Sequence, residues 1–383
     1  MTEGARRTPL VPLRALRHCA ELIQTGPFGS QLHASDYVDG GVPVVNPTNL
    51  FESGIRPDRE SSVSQAVAAR LNVHALRSGD VVMARRGELG RSSVIVDEDL
   101  PALCGTGSLV VRLKREEASA KFVQYWLMTS FCRQWMADAA VGATMANIGA
   151  STVSKLPIPT WSTSQQRRIA DFLDARCAAI DAAIEKKERM LEAAEEQYRE
   201  ANRSTIESLQ KSASMVKLGR FVTPIAMEEC HLPRVSRGDL VIALTGEGKT
   251  RGKVAVIDCN EATISQHLAY IRPDKTRLDP EFLQLQLDTR YEHFRFDTAG
   301  TGGTRAALTC EYVKSIRILV PASFAEQRRI AETLGSNFKC SSRLTTALTR
   351  SIAALREYRT ALITAAVTGK LELPAAPTAA VSP

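Results

Sequence analysis

The chain has no Cys-x-x-Cys pair, and its 8 cysteines stand singly, so neighbouring thiols cannot build a zinc ribbon or a dithiol redox pair. No Cys/His cluster has metal-ligand spacing either. The expectation is free thiols in a reducing compartment, and a cytoplasmic protein. No apolar run reaches 18 residues, and the start of the chain lacks the apolar core of a signal peptide, so no membrane partner is expected. Aromatic residues are scarce, at 5%. Where they gather, between Lys121 and Ala137, they have helical spacing and read as core. No carboxylate cluster followed by lysine suggests a nuclease, and no nucleophile elbow suggests a hydrolase. Charge of one sign is in modest excess: the net +7 favours, weakly, a polyanionic partner. With 383 residues there is room for two or three domains with cores of their own.

One long stretch, Ser164 to Lys211, lacks both glycine and proline. Alanine, leucine, glutamate, lysine, arginine and glutamine dominate it, and these lose little freedom in a helix. Leu173, Ile180, Ala194 and Ala201 repeat with heptad spacing, as do Cys177, Ile184, Leu191 and Tyr198; Lys187 interrupts the seam. Such a helix would run roughly 70 Å and needs a partner to cover the seam. A second stretch, Phe324 to Val367, supplies one. Gln327-Arg328-Arg329-Ile330-Ala331 repeats Gln166-Arg167-Arg168-Ile169-Ala170, and Leu334, Leu348, Leu355 and Leu362 share one register. Read singly, each helix has a second reading, a plain dimerisation coil. Two matched copies in one chain favour an intramolecular antiparallel pair.

The segments between the helices repeat as well. Strand Gly79–Ala84, basic connector Arg85–Arg91 and return strand Ser92–Val96 match Gly238–Ala243, Gly246–Lys253 and Val254–Ile257. The strand at Leu109, the helix at Lys121 and the small-residue loop at Ala139–Thr144 match His267–Arg272, Pro280–Phe294 and Ala299–Thr304, at offsets of 159 to 161 residues. The expected fold class is α+β: two mixed α/β domains in tandem, separated and followed by two long helices that form an antiparallel coiled coil. The expected boundaries are 1–162, a helix over 163–211, a shortened domain over 212–323, a helix over 324–371 and a disordered tail over 372–383. The shortening is explicit: 63 residues separate Leu16 from Gly79, but 20 separate Leu218 from Gly238. The second domain thus lacks a counterpart of Gly26–Asn49.

Two motifs imitate enzymes. Ala243–Thr250 fits a relaxed phosphate-loop pattern through Gly248-Lys249-Thr250, but a phosphate loop must lead into a helix whose amides hold phosphate. The residues that follow, Arg251–Ile257, read as a strand. Asn46-Pro47-Thr48-Asn49 is like an amino-methyltransferase site, yet Asn49 stands where an aromatic would have to stack on a flipped base.

Gly26-Pro27-Phe28-Gly29-Ser30-Gln31-Leu32, Asp36-Tyr37, Gly41-Val42-Pro43, Asn49, the hairpins opening at Gly79 and Gly238, the two repeated helix starts and the closing Ala365–Leu371 together resemble the specificity subunit of type I restriction–modification enzymes. The resemblance spans nearly the whole chain. It implies two target-recognition domains that each read half of a split site in double-stranded DNA. It implies helices that act as a spacer and dock two methyltransferase (modification) subunits, joined by restriction/translocase subunits. S-adenosylmethionine, ATP and magnesium would then sit on those partners. The chain itself would hold no cofactor, no metal and no catalytic residue. Gln166, Arg167, Arg168, Gln327, Arg328 and Arg329, at the helix starts, would bind the partners.

Physical chemistry assigns roles for the DNA-binding reading. Arg85, Arg86, Arg91, Lys249, Arg251 and Lys253 on the connectors can neutralise phosphates without choosing sequence. Reading base edges takes amide or guanidinium groups, for which the loop candidates are Gln31, Asn46, Asn49, Asn147 and Arg305. The small-residue loops bearing Gly29, Ser30, Thr144 and Thr304 allow close approach of backbone to phosphate. The alternatives are a degenerate specificity subunit or coiled-coil scaffold without catalysis, and a nucleotide-binding enzyme using Gly248-Lys249-Thr250. Saturable ATP or S-adenosylmethionine binding by the isolated chain would mark the enzyme. Absent or salt-insensitive DNA retention would mark the scaffold.

Overall fold

The computed structural model describes residues 10–139, 148–210, 213–223, 234–246, 250–296, 308–321 and 323–373. They fall into two compact units: Met1–Ile184 with Ala353–Pro383, and Glu185–Ile352. The two helix-forming stretches are continuous helices, Thr163–Gln210 and Phe324–Val367. In the first unit Leu173, Cys177, Ile180 and Ile184 are buried, as the heptad seam requires. Their helix runs antiparallel to residues 353–367: Arg359 lies 2.9 Å from the Asp181 carboxylate, and Trp161 Nε1 donates to the Val367 carbonyl at 3.1 Å. In the second unit Tyr198 and Phe338 face each other with ring centroids 5.6 Å apart. Gly335 sits inside a helix that passes through it without interruption. The second helix ends at Val367, short of Leu371. Gly369 turns left-handed (φ +80°), and the Lys370 N–H caps the Ala365 carbonyl at 2.9 Å.

The first unit is built on a four-stranded antiparallel sheet in the order Ala20–Thr25, Ser108–Leu113, Val81–Ala84, Ser92–Val94. Val81–Ala84 are all buried, consistent with a strand of unbroken apolar character covered on both faces. The aromatic helix predicted over Lys121–Ala137 is two helices, Ala120–Leu127 and Ser130–Ala139. Thr129 makes the break. Its buried hydroxyl donates to the Trp126 carbonyl (2.7 Å) and accepts the Cys132 N–H (3.3 Å), ending one helix and capping the next. Phe122, Tyr125 and Trp126 are core.

The stretch present only in the first copy joins Leu103–Cys104 in a second sheet, in the order Leu103–Cys104, Val42–Val45, Ser62–Val63, Tyr37–Val38, and forms a hairpin of Leu50–Phe51 with Gly54–Ile55. That hairpin covers the outer edge of the main sheet. The Ser93 hydroxyl accepts the Phe51 N–H (2.9 Å) and donates to the Phe51 carbonyl (2.6 Å). The Gln124 amide donates to the carbonyls of Glu52 and Ser92, each at 3.0 Å. The Glu52 carboxylate is ion-paired to Arg359.

The second unit repeats the main sheet in the order Val222–Thr223, Leu268–Pro273, Leu240–Ala243, Val254–Val256. Its helices Pro280–Asp288 and Tyr291–Phe296 repeat the interrupted pair. One ion pair recurs at the strand entrances. Arg112 grips Asp80 through two bonds (2.9 and 2.7 Å), and Arg272 grips Asp239 through Nε (3.1 Å) and Nη2 (2.8 Å). Both aspartates are buried. Leu240, Ile242, Ala269, Ile271, Phe282 and Leu283 form the core of this unit. Among the described residues, a two-stranded pairing of Arg234–Val235 with Ala262–Thr263 is all that stands where the first copy has its second sheet.

Candidate nucleic-acid interface

Five segments of the first unit meet at one end of its main sheet. The Gly26 N–H bonds the Ser108 carbonyl (3.1 Å), Gly105 N–H bonds Val45 (2.9 Å) and Arg85 N–H bonds Gly107 (3.0 Å). The Arg85 carbonyl accepts the Ile148 N–H at 2.9 Å. Any side chain at Gly26 would collide with the Gly105 carbonyl, so the loop that follows is drawn tightly against the sheet end. These bonds bring Gly29, Ser30, Gln31, Asn46, Arg85, Arg86 and Arg91 into one neighbourhood.

Their states differ. Arg85 is half-buried, with Nε donating to the Ile148 carbonyl at 3.1 Å. Its burial, together with the neighbouring Arg86 charge, holds its pKa below the usual arginine value. Among the described residues neither Arg85 nor Arg86 pairs with a carboxylate, so a phosphate arriving here would meet two uncompensated guanidinium groups. Arg86 borders a hollow of about 310 Å³ with Thr25, Phe28, Arg85, Thr106 and Gly107. Arg91 differs: it pairs with Glu88 at 2.7 Å and reaches the Pro47 carbonyl at 3.5 Å. Gly29 takes a left-handed conformation (φ +60°), and Ser30 and Gln31 are exposed. Asn46 is half-buried, with its side-chain oxygen packed against Gly105. Asn49 leaves the base-reading set. It is 5% exposed; its Oδ1 accepts the Asn46 N–H (2.8 Å) and its Nδ2 donates to the Arg56 carbonyl (3.1 Å), so it closes a turn.

The second unit builds the same junction with different chemistry. Leu244 N–H bonds the His267 carbonyl and its own carbonyl accepts the Leu308 N–H, each at 2.9 Å, repeating the bonds of Arg85. Leu244 and Thr245 therefore occupy the places of Arg85 and Arg86, and the Thr245 hydroxyl lies 3.0 Å from His267 Nδ1. Arg251 is half-buried and Lys253 exposed on the connector, which leads into strand Val254–Val256 and not into a helix. The phosphate-loop imitation fails on that account. Thr144, Asn147, Lys249, Thr304 and Arg305 lie outside the described residues.

The comparisons with known proteins bear on this geometry. The model of the type I restriction modification DNA specificity domain matches the chain twice, over residues 23–193 and 182–354. The chain belongs to that family. Its fold is similar to that of a chain from a structure of the type I R-M system describing complex assembly and conformational transition. That likeness has a TM-score of 0.72 at 17% identity and covers 95% of this chain and 100% of the other. It is also similar to the HsdS subunit of Thermoanaerobacter tengcongensis, with a TM-score of 0.53 at 17% identity, covering 97% of this chain and 100% of that one. Comparison with curated protein sequences finds no match.

The helix starts of this family member need one correction. Gln166 and Gln327 are buried, at 0% and 2% exposure, and are spent inside the chain. Gln166 accepts the Ser119 N–H and donates to the Trp161 carbonyl, both at 2.9 Å; Gln327 accepts the Asp279 N–H and donates to the Arg277 carbonyl, both at 3.0 Å. They fasten each long helix to the short helix of its own domain and offer nothing to a partner. Arg167, Arg168, Arg328 and Arg329 are exposed. Arg167 Nη2 reaches the Arg115 carbonyl at 3.4 Å, Arg168 Nη2 reaches Leu373 at 3.3 Å, and Arg328 lies 4.0 Å from Glu332. Among the described residues no group of three or more His, Cys, Asp or Glu is placed to hold a metal, and no helix is long and apolar enough to cross a membrane. Sequence reasoning passed over Phe28, Thr25 and Thr106, which share the hollow with Arg86. The Gly-Pro-aromatic-Gly order at Gly26–Gly29 was the available signal.

Proposed function

We propose that this chain is the DNA-reading subunit of a type I restriction–modification complex, that it binds a split target through its two domains, and that it carries out no chemistry itself. The observation that carries the reading is the repeat of one specificity domain in one chain, with the first copy placing at a loop cluster two arginines that pair with no carboxylate among the described residues. Phosphate contacts from Arg85 and Arg86 would supply salt-dependent affinity, while Gln31 and Asn46 beside them are of the type that reads base edges. The exposed arginines of the helix starts, Arg167, Arg168, Arg328 and Arg329, are the candidates for docking two modification subunits, and restriction subunits would join that core. S-adenosylmethionine, ATP and magnesium belong on those subunits, and the assembly works in the cytoplasm. The test is co-purification with a type I modification methyltransferase from the same genome, followed by genome-wide mapping of methylated adenine in cells making both. Methylation at one split motif supports the reading. Co-purification without methylation at any motif, or no complex at all, would reduce the chain to a relic or scaffold. The smaller second unit favours one variant of this outcome: a motif whose second half is shorter than its first.

A further inference from the structure

Phe28 is the apolar side chain the fold leaves most conspicuously uncovered beside cationic groups. It is 63% exposed, yet the backbone that carries it is fixed on both sides. Before it, Pro27 is buried and Gly26 is held against Gly105. After it, Gly29 turns left-handed, and the Phe28 N–H is received by the Gln31 side chain at 3.2 Å. A mobile loop tip can expose an aromatic ring without consequence. A ring presented from a braced turn, over a hollow of about 310 Å³ shared with Arg85, Arg86, Thr25 and Thr106, is instead pre-positioned for a flat apolar ligand flanked by negative charge. A nucleobase with its phosphates has that chemistry. In the second unit, Leu244 and Thr245 replace the arginines, and no described large apolar residue is exposed at the equivalent sheet end.

We infer that Phe28 is a nucleobase-stacking residue, resting its ring against one base at an opened step of the bound duplex while Arg85 and Arg86 hold the adjoining phosphates. This rests on the DNA-reading function proposed above. Stacking has a different physical signature from phosphate binding. It contributes affinity with no counterion release, so its loss leaves the salt dependence intact.

The experiment uses the full chain with its modification subunits and a fluorescent 40-base-pair duplex, titrated at several salt concentrations. Phe28→Ala is expected to weaken binding by about tenfold or more, in keeping with the loss of one aromatic–base stack, with an unchanged log–log salt slope. Arg86→Ala is expected to reduce that slope instead. Phe28→Trp should restore affinity, and the fluorescence it adds over the parent protein should be quenched when DNA binds. Phe28 is exposed, so the helical circular dichroism of both variants should equal that of the parent. If the parent binds DNA and Phe28→Ala binds equally well, or if the added tryptophan is not quenched, the stacking role is wrong while DNA binding stands. If the parent itself fails to bind any duplex, the DNA-reading function falls, and the stacking role with it.

Discussion

Two aspartates show how much a residue's surroundings decide. Asp239 is buried, which alone would favour its neutral form. The Arg272 fork and the Ser236 N–H outweigh that penalty, and its pKa lies below the usual carboxylate value. Among the described residues Asp288 has no such cation. Burial pushes it up to about 6, with a weak bond from Gln284 at 3.4 Å pulling the other way. The repeat places Met128 at this position in the first copy, where no charge has to be desolvated. A carboxyl whose pKa is raised on folding binds its proton more tightly in the native state. Its contribution is therefore fully present below the unfolded value near 4 and is lost as pH rises through 6. Asp288→Asn removes that loss. Urea unfolding should show the variant more stable than the parent by about 1–2 kcal/mol at pH 7.5, with the gain gone by pH 4. An equal gain at both pH values would trace the effect to packing and not to ionisation.

Elements built on periodicity were legible in the sequence; elements built on single polar side chains were not. The long helices, the paired hairpins and the tandem repeat follow from heptad spacing, alternation and matched offsets, which are properties of many residues at once. Thr129 splits a helix through one hydroxyl, and that was invisible beside the strong apolar spacing around it. Asn49 and Gln166 have the residue type of recognition groups, and only their burial shows that they are spent on turns and junctions. In the second sheet of the first unit, the partners of strand Val42–Val45 eluded pattern reading because they are as short as Tyr37–Val38 and Ser62–Val63. The Gln166 junction gives a direct test of this distinction. Gln166→Ala strands the Ser119 N–H and the Trp161 carbonyl, so it should destabilise the isolated chain by about 1–3 kcal/mol. Arg167→Ala, one residue along and exposed, should cost no more than about 0.5 kcal/mol. Thermal unfolding without any partner present separates the two. Were Gln166 a docking residue only, its variant would unfold with the parent and lose partner binding instead.

At the scale of the molecule, the repeat creates two units with the same frame and unequal equipment. The first carries a second sheet, an edge-covering hairpin and the Arg85–Arg86 pair. The second, among its described residues, carries Leu244, Thr245 and a connector with Arg251 and Lys253. Each has its own buried core and its own Asp–Arg pair, so a surface change in one leaves the folding of the other untouched. The units should then read independently, and mutational effects on target choice should be confined to one half of the motif. Gln31→Ala removes an exposed amide at the first cluster whose Oε1 accepts the Phe28 N–H and whose Nε2 is left to meet a base edge, and losing such a base contact costs at most about 1–3 kcal/mol of discrimination. In cells making the modification subunits, its methylated-adenine map is expected to gain sites that deviate at one position of one half-motif, with the other half unchanged. Lys253→Ala should act differently: a lost phosphate contact weakens binding at every sequence alike and reduces the salt slope by about 0.9. Its map should thin evenly, with no new motif. Relaxation that spread across both halves in the Gln31 variant would show that the two units do not read separately, and that the target is recognised by the pair as one surface.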